Sequence, residues 1–278
     1  MKAEPVFSDE KILEKEVRRV PTTSILIPPV PPLNTKDSII LEGLEWWEDR
    51  ETSDAGRKLA NPPELDGSIP ALTVGRATLL GGPPNIGKTA LALQWWRTLL
   101  EEGETGPFIT LEMTPSDLLE RFEKQFETPA DCKEWLEKYK PKVTRSYIIP
   151  EQIERIITSE QYSFAIIDHL HELPYRDRFQ LEAEVKKILN MATEHDIALL
   201  ALAQLKRPEQ FQTEPRLHDW RESGVFEQKA SVTLQLWKDP SDLHAEDVTL
   251  YNLKHRFEKK WEPVELCLDE TAVIFRRA

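Results

Sequence analysis

The chain has 278 residues, of which 40% are hydrophobic, and a net charge of −13. This length suits one large α/β domain with an appendage, or two small domains, and the acidic charge argues against a broad basic surface for duplex DNA. No apolar run reaches the roughly 18 residues of a membrane span, and the polar first ten residues lack the apolar core of a signal peptide. Cys132 and Cys267 show no metal-ligand spacing, so we expect two buried thiols in a cytoplasmic protein.

Residues 1–70 differ in composition from the rest and are predicted to form an N-terminal extension. The proline-rich stretch 20–32 predicts an extended, semi-rigid spacer. After it, Ile40, Leu44 and Trp47 are spaced i, i+4, i+7, which predicts a helix with one apolar face. This helix could pack on its own domain or dock on a neighbouring copy, and the sequence leaves both possibilities open.

Strand and helix patterns alternate over residues 71–278, which we expect to form a single α/β domain. Strands are predicted at 77–80, 108–111, 147–149, 164–167, 197–203, 232–237, 248–253, 264–268 and 272–275, the last two as a hairpin. Helices are predicted after residue 89 and at 115–126, 131–140, 151–160 and 179–195. The alternation predicts a central, mostly parallel β-sheet flanked by helices, with ligands bound at the carboxyl ends of the strands.

Residues 82–89 fit the P-loop pattern G-x-x-x-x-G-K-[ST], between a predicted strand and a predicted helix. In that context the backbone N–H groups and the helix N-terminus would bind the phosphates of ATP. Lys88 would reach the β- and γ-phosphates, and Thr89 would hold Mg²⁺. The expected nucleotide-binding residues are Gly82, Pro83, Pro84, Asn85, Ile86, Gly87, Lys88, Thr89 and Ala90.

Polar residues at the ends of three other predicted strands could act on a bound nucleotide. Asp168 follows the apolar run 164–167, the pattern of a Walker B acid, and would bind Mg²⁺ opposite Thr89. Glu112, on a strand expected to lie beside the P-loop strand, could orient the attacking water, or could be an ordinary helix-capping acid. Gln204 could sense the γ-phosphate, or could be a polar residue at a loop entrance.

Three further groups of residues have both a functional and a plain interpretation. The stretch 205–222 has no periodicity and mixes basic with aromatic side chains, a combination that suits single-stranded nucleic acid, although four acids cancel the charge. Arg256, two residues after Lys254, could stabilise the charge on a γ-phosphate or belong to a solvated basic patch. His169 and His171 flank Asp168, and we expect them to pack or hydrogen-bond rather than bind a metal.

Taken together, these motifs resemble the RecA-type motor domain of bacterial replicative hexameric helicases, the DnaB-like proteins of superfamily 4. Residues 110–114 (TLEMT) are similar to the family's S-L-E-M-S, and 166–170 (IIDHL) to its I-I-D-Y-L. Residues 203–207 (AQLKR) resemble its S-Q-L-x-R. The most specific match is 220–228 (WRESGVFEQ), against L-R-E-S-G-x-I-E-Q. Residues 254–256 (KHR) match its K-x-R.

The resemblance implies a role for each matching residue. Glu112 would be the catalytic acid, with Lys88, Gln204 and Lys254 also in the catalytic set. Arg256 would be the finger supplied to the ATP of a neighbouring subunit. Residues that would contact single-stranded DNA are Arg221, Glu222, Gly224 and Arg207.

The chain also departs from the family pattern. No counterpart of the family's N-terminal helical collar is recognisable. Phe257–Trp261 stand where the family has glycines, and Lys229 replaces its acidic residue. These differences bear on strand separation more than on ATP hydrolysis.

The sequence therefore predicts an ATP-hydrolysing, ring-forming motor that uses Mg²⁺ and acts on single-stranded DNA, with DNA helicase as the leading function. A homohexamer and contacts with other replication proteins are expected, and no membrane partner. One alternative is a recombinase or clock-type ATPase of the RecA fold. The other is an ATP-gated adaptor or scaffold that binds single-stranded DNA without unwinding it.

Overall fold

The computed structural model describes residues 53–65, 67–145, 149–205, 212, 214–217, 229–239, 247–269 and 271–278. The predicted helix with Ile40, Leu44 and Trp47 lies outside these residues, as do the proline-rich stretch and most of the loop after residue 205. No helix among the described residues is long and apolar enough to cross a membrane.

Nine strands of the described residues form one sheet. Their bounds are β1 Ala77–Gly82, β2 Pro107–Thr110, β3 Lys142–Arg145, β4 Phe164–Asp168, β5 Ala198–Gln204, β6 Val232–Trp237, β7 Asp247–His255, β8 Val264–Asp269 and β9 Ile274–Arg277. The order across the sheet is β3-β2-β4-β5-β1-β6-β7-β8-β9. The first six strands in this order are parallel, and β7, β8 and β9 continue the sheet as an antiparallel meander. The predicted mostly parallel sheet and the final hairpin are confirmed.

Helices cover both faces of the parallel strands. Their bounds are α1 Lys88–Glu101, α2 Pro115–Glu123, α3 Pro129–Tyr139, α4 Pro150–Ile157 and α5 Arg178–Glu194. Successive residues of a strand point to opposite faces. Leu80 accordingly packs in the cluster that holds α1, α2 and α3, whereas Leu79 packs in the cluster that holds α4 and α5. Strands buried on both sides need unbroken apolar runs, which explains why they were recognisable in the sequence.

Capping residues explain where α2 and α3 begin. The Thr114 hydroxyl accepts a hydrogen bond from the Asp117 N–H, and the Asp117 carboxylate accepts one from the Thr114 N–H. Thr128 and Asp131 form the same reciprocal pair at α3, and a proline follows each N-cap threonine. These boxes satisfy N–H groups that have no partner inside the helix, and proline fits the first helical position because its missing N–H is not needed there.

Of the strand predicted at residues 147–149, the structure describes only Ile149, which does not lie in a strand. A strand lies earlier, at Lys142–Arg145, and pairs only with β2, as the edge strand. An edge strand does not need an unbroken apolar run, so the sequence pattern does not reveal it. Ile149 is instead the extended residue before α4, the conformation favoured ahead of Pro150. Residues 147 and 148 lie outside the described part of the chain.

The described residues between 53 and 74 pack against the same core as α1. Leu59, Leu65 and Ile69 are buried in the cluster that contains the apolar side of that helix. The Trp95 Nε1–H on α1 donates a hydrogen bond to Asn61 Oδ1 over 3.1 Å. The domain boundary near residue 70 stays a prediction, but part of the segment before it contributes side chains to the core.

The cysteine prediction is half wrong. Cys132, on α3, is buried, whereas Cys267, on β8, is exposed and free. Alternate residues of β8 face opposite sides of the sheet, and its buried neighbour Leu266 occupies the core side. The exposure of Cys267 therefore follows from its position on a strand with one solvated face.

An aromatic cluster stabilises the corner between α1, α2 and α3. The Phe122 ring is fully buried and lies 5.2 Å from the Trp96 ring and 5.0 Å from the Trp135 ring, centroid to centroid. Aromatic pairs at such distances and inclined angles contribute about 0.5–1.5 kcal/mol each beyond their area burial. Arg97 extends the cluster at its edge by placing its guanidinium 4.2 Å from the centre of the Phe126 ring.

We predict that Phe122→Ala lowers the free energy of unfolding by about 3–5 kcal/mol, because it leaves a cavity in this cluster. Phe179→Ala is the matched control, since Phe179 is 82% exposed, and its effect should stay within about 0.5 kcal/mol. Urea denaturation followed by far-ultraviolet circular dichroism measures both. Equal losses in the two variants would contradict the packing described for Phe122.

Candidate nucleotide-hydrolysis site

Two glycines let the P-loop fold tightly between β1 and α1. Gly87 has φ 99°, a left-handed conformation that disfavours side chains, and a Cβ there would lie 2.6 Å from Cζ of Phe275 on β9. A Cβ on Gly82 would lie 2.8 Å from the Ile86 side chain. Since Gly87 is the N-cap of α1 and caps it with no side chain, the helix N-terminus stays available to an anion. The P-loop residues therefore form a cradle that fits phosphate.

Lys88 is buried at the base of this loop, with 7% of its surface exposed. Its Nζ donates hydrogen bonds to the carbonyl oxygens of Gly82 (3.0 Å) and Pro83 (2.8 Å). Burial lowers the pKa of the Lys88 ammonium to about 8, although the charges of Asp168 and Glu112 act in the opposite direction. A buried cation whose hydrogen-bond partners are neutral carbonyls is stabilised when a negatively charged phosphate binds beside it.

Asp168 ends β4 and faces the start of α1. Its Oδ2 accepts a hydrogen bond from the Thr89 hydroxyl over 2.8 Å, as the pairing of a Walker B acid with a P-loop threonine requires. Only 1% of Asp168 is exposed, and burial raises the pKa of its carboxyl group, an effect that the Thr89 hydrogen bond opposes. Its second oxygen, Oδ1, is buried without a hydrogen-bond partner in the described structure. An oxygen pair with one atom unsatisfied fits a Mg²⁺ site.

Glu112 lies on a bend between β2 and α2. The bend is closed by Thr110, whose hydroxyl donates to the Met113 carbonyl (3.1 Å) and accepts from the Met113 N–H (3.0 Å). Because Thr114 and Asp117 cap α2, the helix-capping interpretation of Glu112 is wrong. Its side chain is 51% exposed, and its Oε2 lies 3.3 Å from Nε2 of His169.

The expectation that the strand of Glu112 lies beside the P-loop strand is also wrong. Between β2 and β1 lie β4 and β5. Glu112 still stands at the carboxyl edge of the sheet, where its charge acts on both Lys88 and Asp168. Because these strands are parallel, their carboxyl ends lie along the same edge of the sheet.

His171 and Gln204 link the next two strand ends. Gln204 is the last residue of β5, lies opposite Gly82 in the register, and is exposed. Its backbone N–H donates a hydrogen bond to Nδ1 of His171 over 3.2 Å. The expectation that the two histidines pack or hydrogen-bond is confirmed: His171 accepts this bond, and His169 is buried with Nε2 3.3 Å from Glu112. Their particular partners could not be read from sequence, because they depend on the strand order.

Lys254 and Arg256 lie at the opposite edge of the sheet. Lys254 is within β7, which extends two residues further than predicted, and Arg256 follows its end. The Arg256 N–H donates to the Ser231 carbonyl, and the Ser231 N–H donates to the carbonyl of Ala77, the first residue of β1. Since β1 has 6 residues, this edge is about 17 Å from the P-loop end of the strand. The structure thus brings these two cations together, but away from the P-loop of the same chain.

The segment after Arg256 is tied to the chain before β1. The Arg76 guanidinium lies 3.8 Å from the centre of the Phe257 ring. Lys58 forms an ion pair of 2.8 Å with Glu258, which holds the pKa of the Glu258 carboxyl below its usual range. The residues that replace the family's glycines here therefore make specific contacts within the chain.

The predicted DNA-binding residues lie outside the described part of the structure. They are Arg207, Arg221, Glu222 and Gly224. The flanking strands fix where their segment begins and ends: it leaves β5 at the P-loop edge and enters β6 at the opposite edge.

Comparisons with known proteins agree with this architecture. Residues 138–272 match the family model described as the DnaB-like helicase C terminal domain. Two curated relatives, each named replicative DNA helicase DnaB and from two strains of Helicobacter pylori, are 26% identical over 223 residues. These matches cover 69% of this chain and 46% of each relative, so the chain spans about half the length of the curated relatives.

Two solved structures share the fold. One, described as an ATPase domain, superposes with a TM-score of 0.67 at 19% identity, covering 84% of this chain and 96% of that one. A DnaB-like replicative helicase, from a study of its interactions with primase, superposes with a TM-score of 0.65 at 20% identity, covering 84% and 65%. The family-model match and the curated relatives support a DnaB-like domain in this chain, and the two solved structures share its RecA-like fold.

Proposed function

We propose that the chain is an ATP-hydrolysing, ring-forming motor that acts on single-stranded DNA, as a DNA helicase of the replicative type. The observation that carries the proposal is the convergence of Lys88, Asp168 and Glu112 at one edge of the sheet, beside a P-loop cradle. Phosphoryl transfer to water needs a phosphate-binding cation, a metal-binding acid and a group that orients the water. Each of the three residues meets one of these needs.

Lys88 and the loop backbone would bind the triphosphate of ATP. The ammonium of Lys88 is directed at the loop by its two carbonyl partners, Gly82 and Pro83, and phosphate oxygens would replace these neutral acceptors with charged ones. The N–H groups of the first turn of α1 would contribute further donors. ATP binding would therefore relieve the cost of burying the Lys88 charge.

Thr89 and Asp168 would hold Mg²⁺ through their oxygen atoms, including the unpartnered Oδ1 of Asp168. When bound, the ion neutralises negative charge on the phosphates. The orientation of Asp168 is fixed by the Thr89 hydrogen bond, and its burial excludes bulk water from this side of the site.

Glu112 would orient the attacking water and accept its proton. Its carboxylate is half exposed, so water reaches it, and it stands at the same edge as the cation of Lys88. A carboxylate in this setting is suited to general-base work because it accepts hydrogen bonds without donating any. Gln204, at the tip of β5 beside the P-loop, would sense the γ-phosphate.

Arg256 would act on the ATP of a neighbouring subunit. Its position at the amino-terminal edge of the parallel strands, about 17 Å along β1 from the P-loop, makes action on its own nucleotide unfavourable. In a ring built from head-to-tail contacts, the surface that carries Arg256 on one copy can face the P-loop surface of the next copy. Lys254, two residues earlier on β7, would lie at the same junction.

Single-stranded DNA would run through the ring, where Arg207, Arg221, Glu222 and Gly224 would contact it. Arginine side chains bind phosphate with a planar pair of donors, and interleaved aromatic rings suit unpaired bases. A homohexamer and other replication proteins as partners complete the proposal. The scaffold alternative, an ATP-gated protein that does not unwind DNA, requires binding of nucleotide without the turnover that Glu112 would provide.

We predict that Glu112→Gln keeps ATP binding and loses turnover by a factor of about 100 or more, because an amide cannot accept the proton of water. Glu123→Gln, at the end of α2, is the matched control and should hydrolyse ATP as the wild type does. Steady-state ATP hydrolysis and equilibrium binding of a fluorescent ATP analogue measure the two effects. Normal turnover in Glu112→Gln would remove the role assigned to Glu112 and favour a scaffold.

We predict that Arg256→Ala lowers ATP turnover by about 10³-fold, the scale expected of an arginine finger, while leaving nucleotide binding by the P-loop intact. Arg256→Lys should restore little, because an ammonium lacks the planar fork. Mixing Arg256→Ala with Lys88→Ala protomers tests action in trans, since some junctions would pair an intact P-loop with an intact arginine. Recovery of part of the activity is expected. No recovery in rings verified as mixed would contradict action in trans.

A further inference from the structure

Two histidines that follow Asp168 reach toward opposite neighbours along the carboxyl edge of the sheet. His169 extends toward β2, where its Nε2 lies 3.3 Å from Oε2 of Glu112. His171 extends toward β5, where its Nδ1 accepts the N–H of Gln204. Since β4 lies between β2 and β5, one short segment contacts groups on both sides of the strand that carries Asp168.

The chemistry of the contact between His169 and Glu112 assigns the proton. The two atoms lie within ion-pair distance, and because a carboxylate oxygen only accepts hydrogen bonds, a hydrogen bond between them would take its proton from Nε2 of His169. The imidazole is 4% exposed, and its ring stands 6.0 Å from that of His171, inclined by 65°. The ring is therefore held by packing, and its Nε2 stays at a fixed place beside Glu112.

Glu112 has the opposite character. Its side chain is 51% exposed and comes from a bend rather than from a helix or strand. A glutamate in that setting has several rotamers of similar energy and loses conformational entropy when one is selected. His169 is a buried side chain whose Nε2 lies 3.3 Å from its carboxylate. A rigid donor that holds a mobile base is the arrangement expected of a positioning residue.

We infer that His169 is a positioning residue for the water-activating carboxylate of Glu112, holding it in the orientation that hydrolysis requires. This inference rests on the proposed ATP hydrolysis. His169 does not touch the nucleotide in this account, so its loss should lower kcat and leave nucleotide affinity unchanged. The role depends on the length of the side chain, because the donor atom must lie as far from the backbone as Nε2 of histidine does.

Two amides of different length test that reach. His169→Gln places an amide NH₂ near the position of Nε2 and should keep kcat within about threefold of the wild type. His169→Asn carries the same amide one methylene shorter, cannot reach Glu112, and should lower kcat by about 10- to 100-fold, the factor that corresponds to one hydrogen bond to a charged group. The dissociation constant of the ATP analogue and KM should change by less than about twofold in both variants.

A control and a double variant separate positioning from folding. His195→Asn removes a similar histidine–glutamate contact, of 3.1 Å to Glu154 and remote from the P-loop, and should leave kcat unchanged. In a Glu112→Gln background, His169→Asn should cause no further loss, because the group through which it acts is already gone. Thermal unfolding of every variant checks that the fold persists.

The outcomes are distinguishable. An active wild type in which His169→Asn retains normal kcat overturns this inference alone. Equal losses of kcat in the Gln and Asn variants, or a raised dissociation constant for the ATP analogue, also overturn it, because they indicate a structural or binding role. A wild type that does not hydrolyse ATP, with or without single-stranded DNA, overturns the proposed function and this inference with it.

Discussion

The carboxyl ends of parallel strands share one edge of a sheet, and this constraint organises the rest of the molecule. Six parallel strands place the P-loop, Glu112, Asp168 and Gln204 at that edge, although these residues are far apart in sequence. The connections return the chain to the other edge, so four of the six strand ends, those of β1, β2, β4 and β5, contribute groups to the site. The antiparallel strands then reverse the direction of the chain. As a result, β7 delivers Arg256 to the edge opposite the P-loop, and this position gives the proposal of a shared site between subunits its structural basis.

Burial of charge sets the chemistry of the site. Lys88 and Asp168 are both almost excluded from solvent, and burial lowers the pKa of the lysine to about 8 and raises the pKa of the aspartate. Both shifts disfavour the charged forms, so the protein without nucleotide carries an electrostatic cost at this edge. A phosphate beside Lys88 and a divalent cation beside Asp168 would each restore the favoured charged state. β9 packs against the P-loop at this edge. Phe275 lies so close to Gly87 that a larger residue at position 87 would clash with its ring.

Much of this could be predicted from sequence, and the failures have physical causes. The apolar run of β4 indicates a strand, because strands that are buried on both faces accept few polar residues. The spacing of the glycines indicates the loop between β1 and α1. The sequence does not reveal the edge strand β3, because a strand with a solvated side does not need an unbroken apolar run. The strand order, which places β4 and β5 between Glu112 and the P-loop strand, is a tertiary property that no local pattern encodes. The sequence predicts that His169 packs or hydrogen-bonds, but its contact with Glu112 depends on that order. The capping alternative for Glu112 was open until Thr114 and Asp117 proved to fill that role.

The most direct test of the central claim measures ATP turnover per protomer over a range of protein concentrations, with and without a single-stranded oligonucleotide, alongside the mass of the particle in solution. If the catalytic site is shared between copies of a ring that binds single-stranded DNA, turnover should rise in step with the oligomer mass and increase further with the oligonucleotide. The account would be contradicted by a protomer that hydrolyses ATP as a monomer at a rate independent of concentration and of single-stranded DNA.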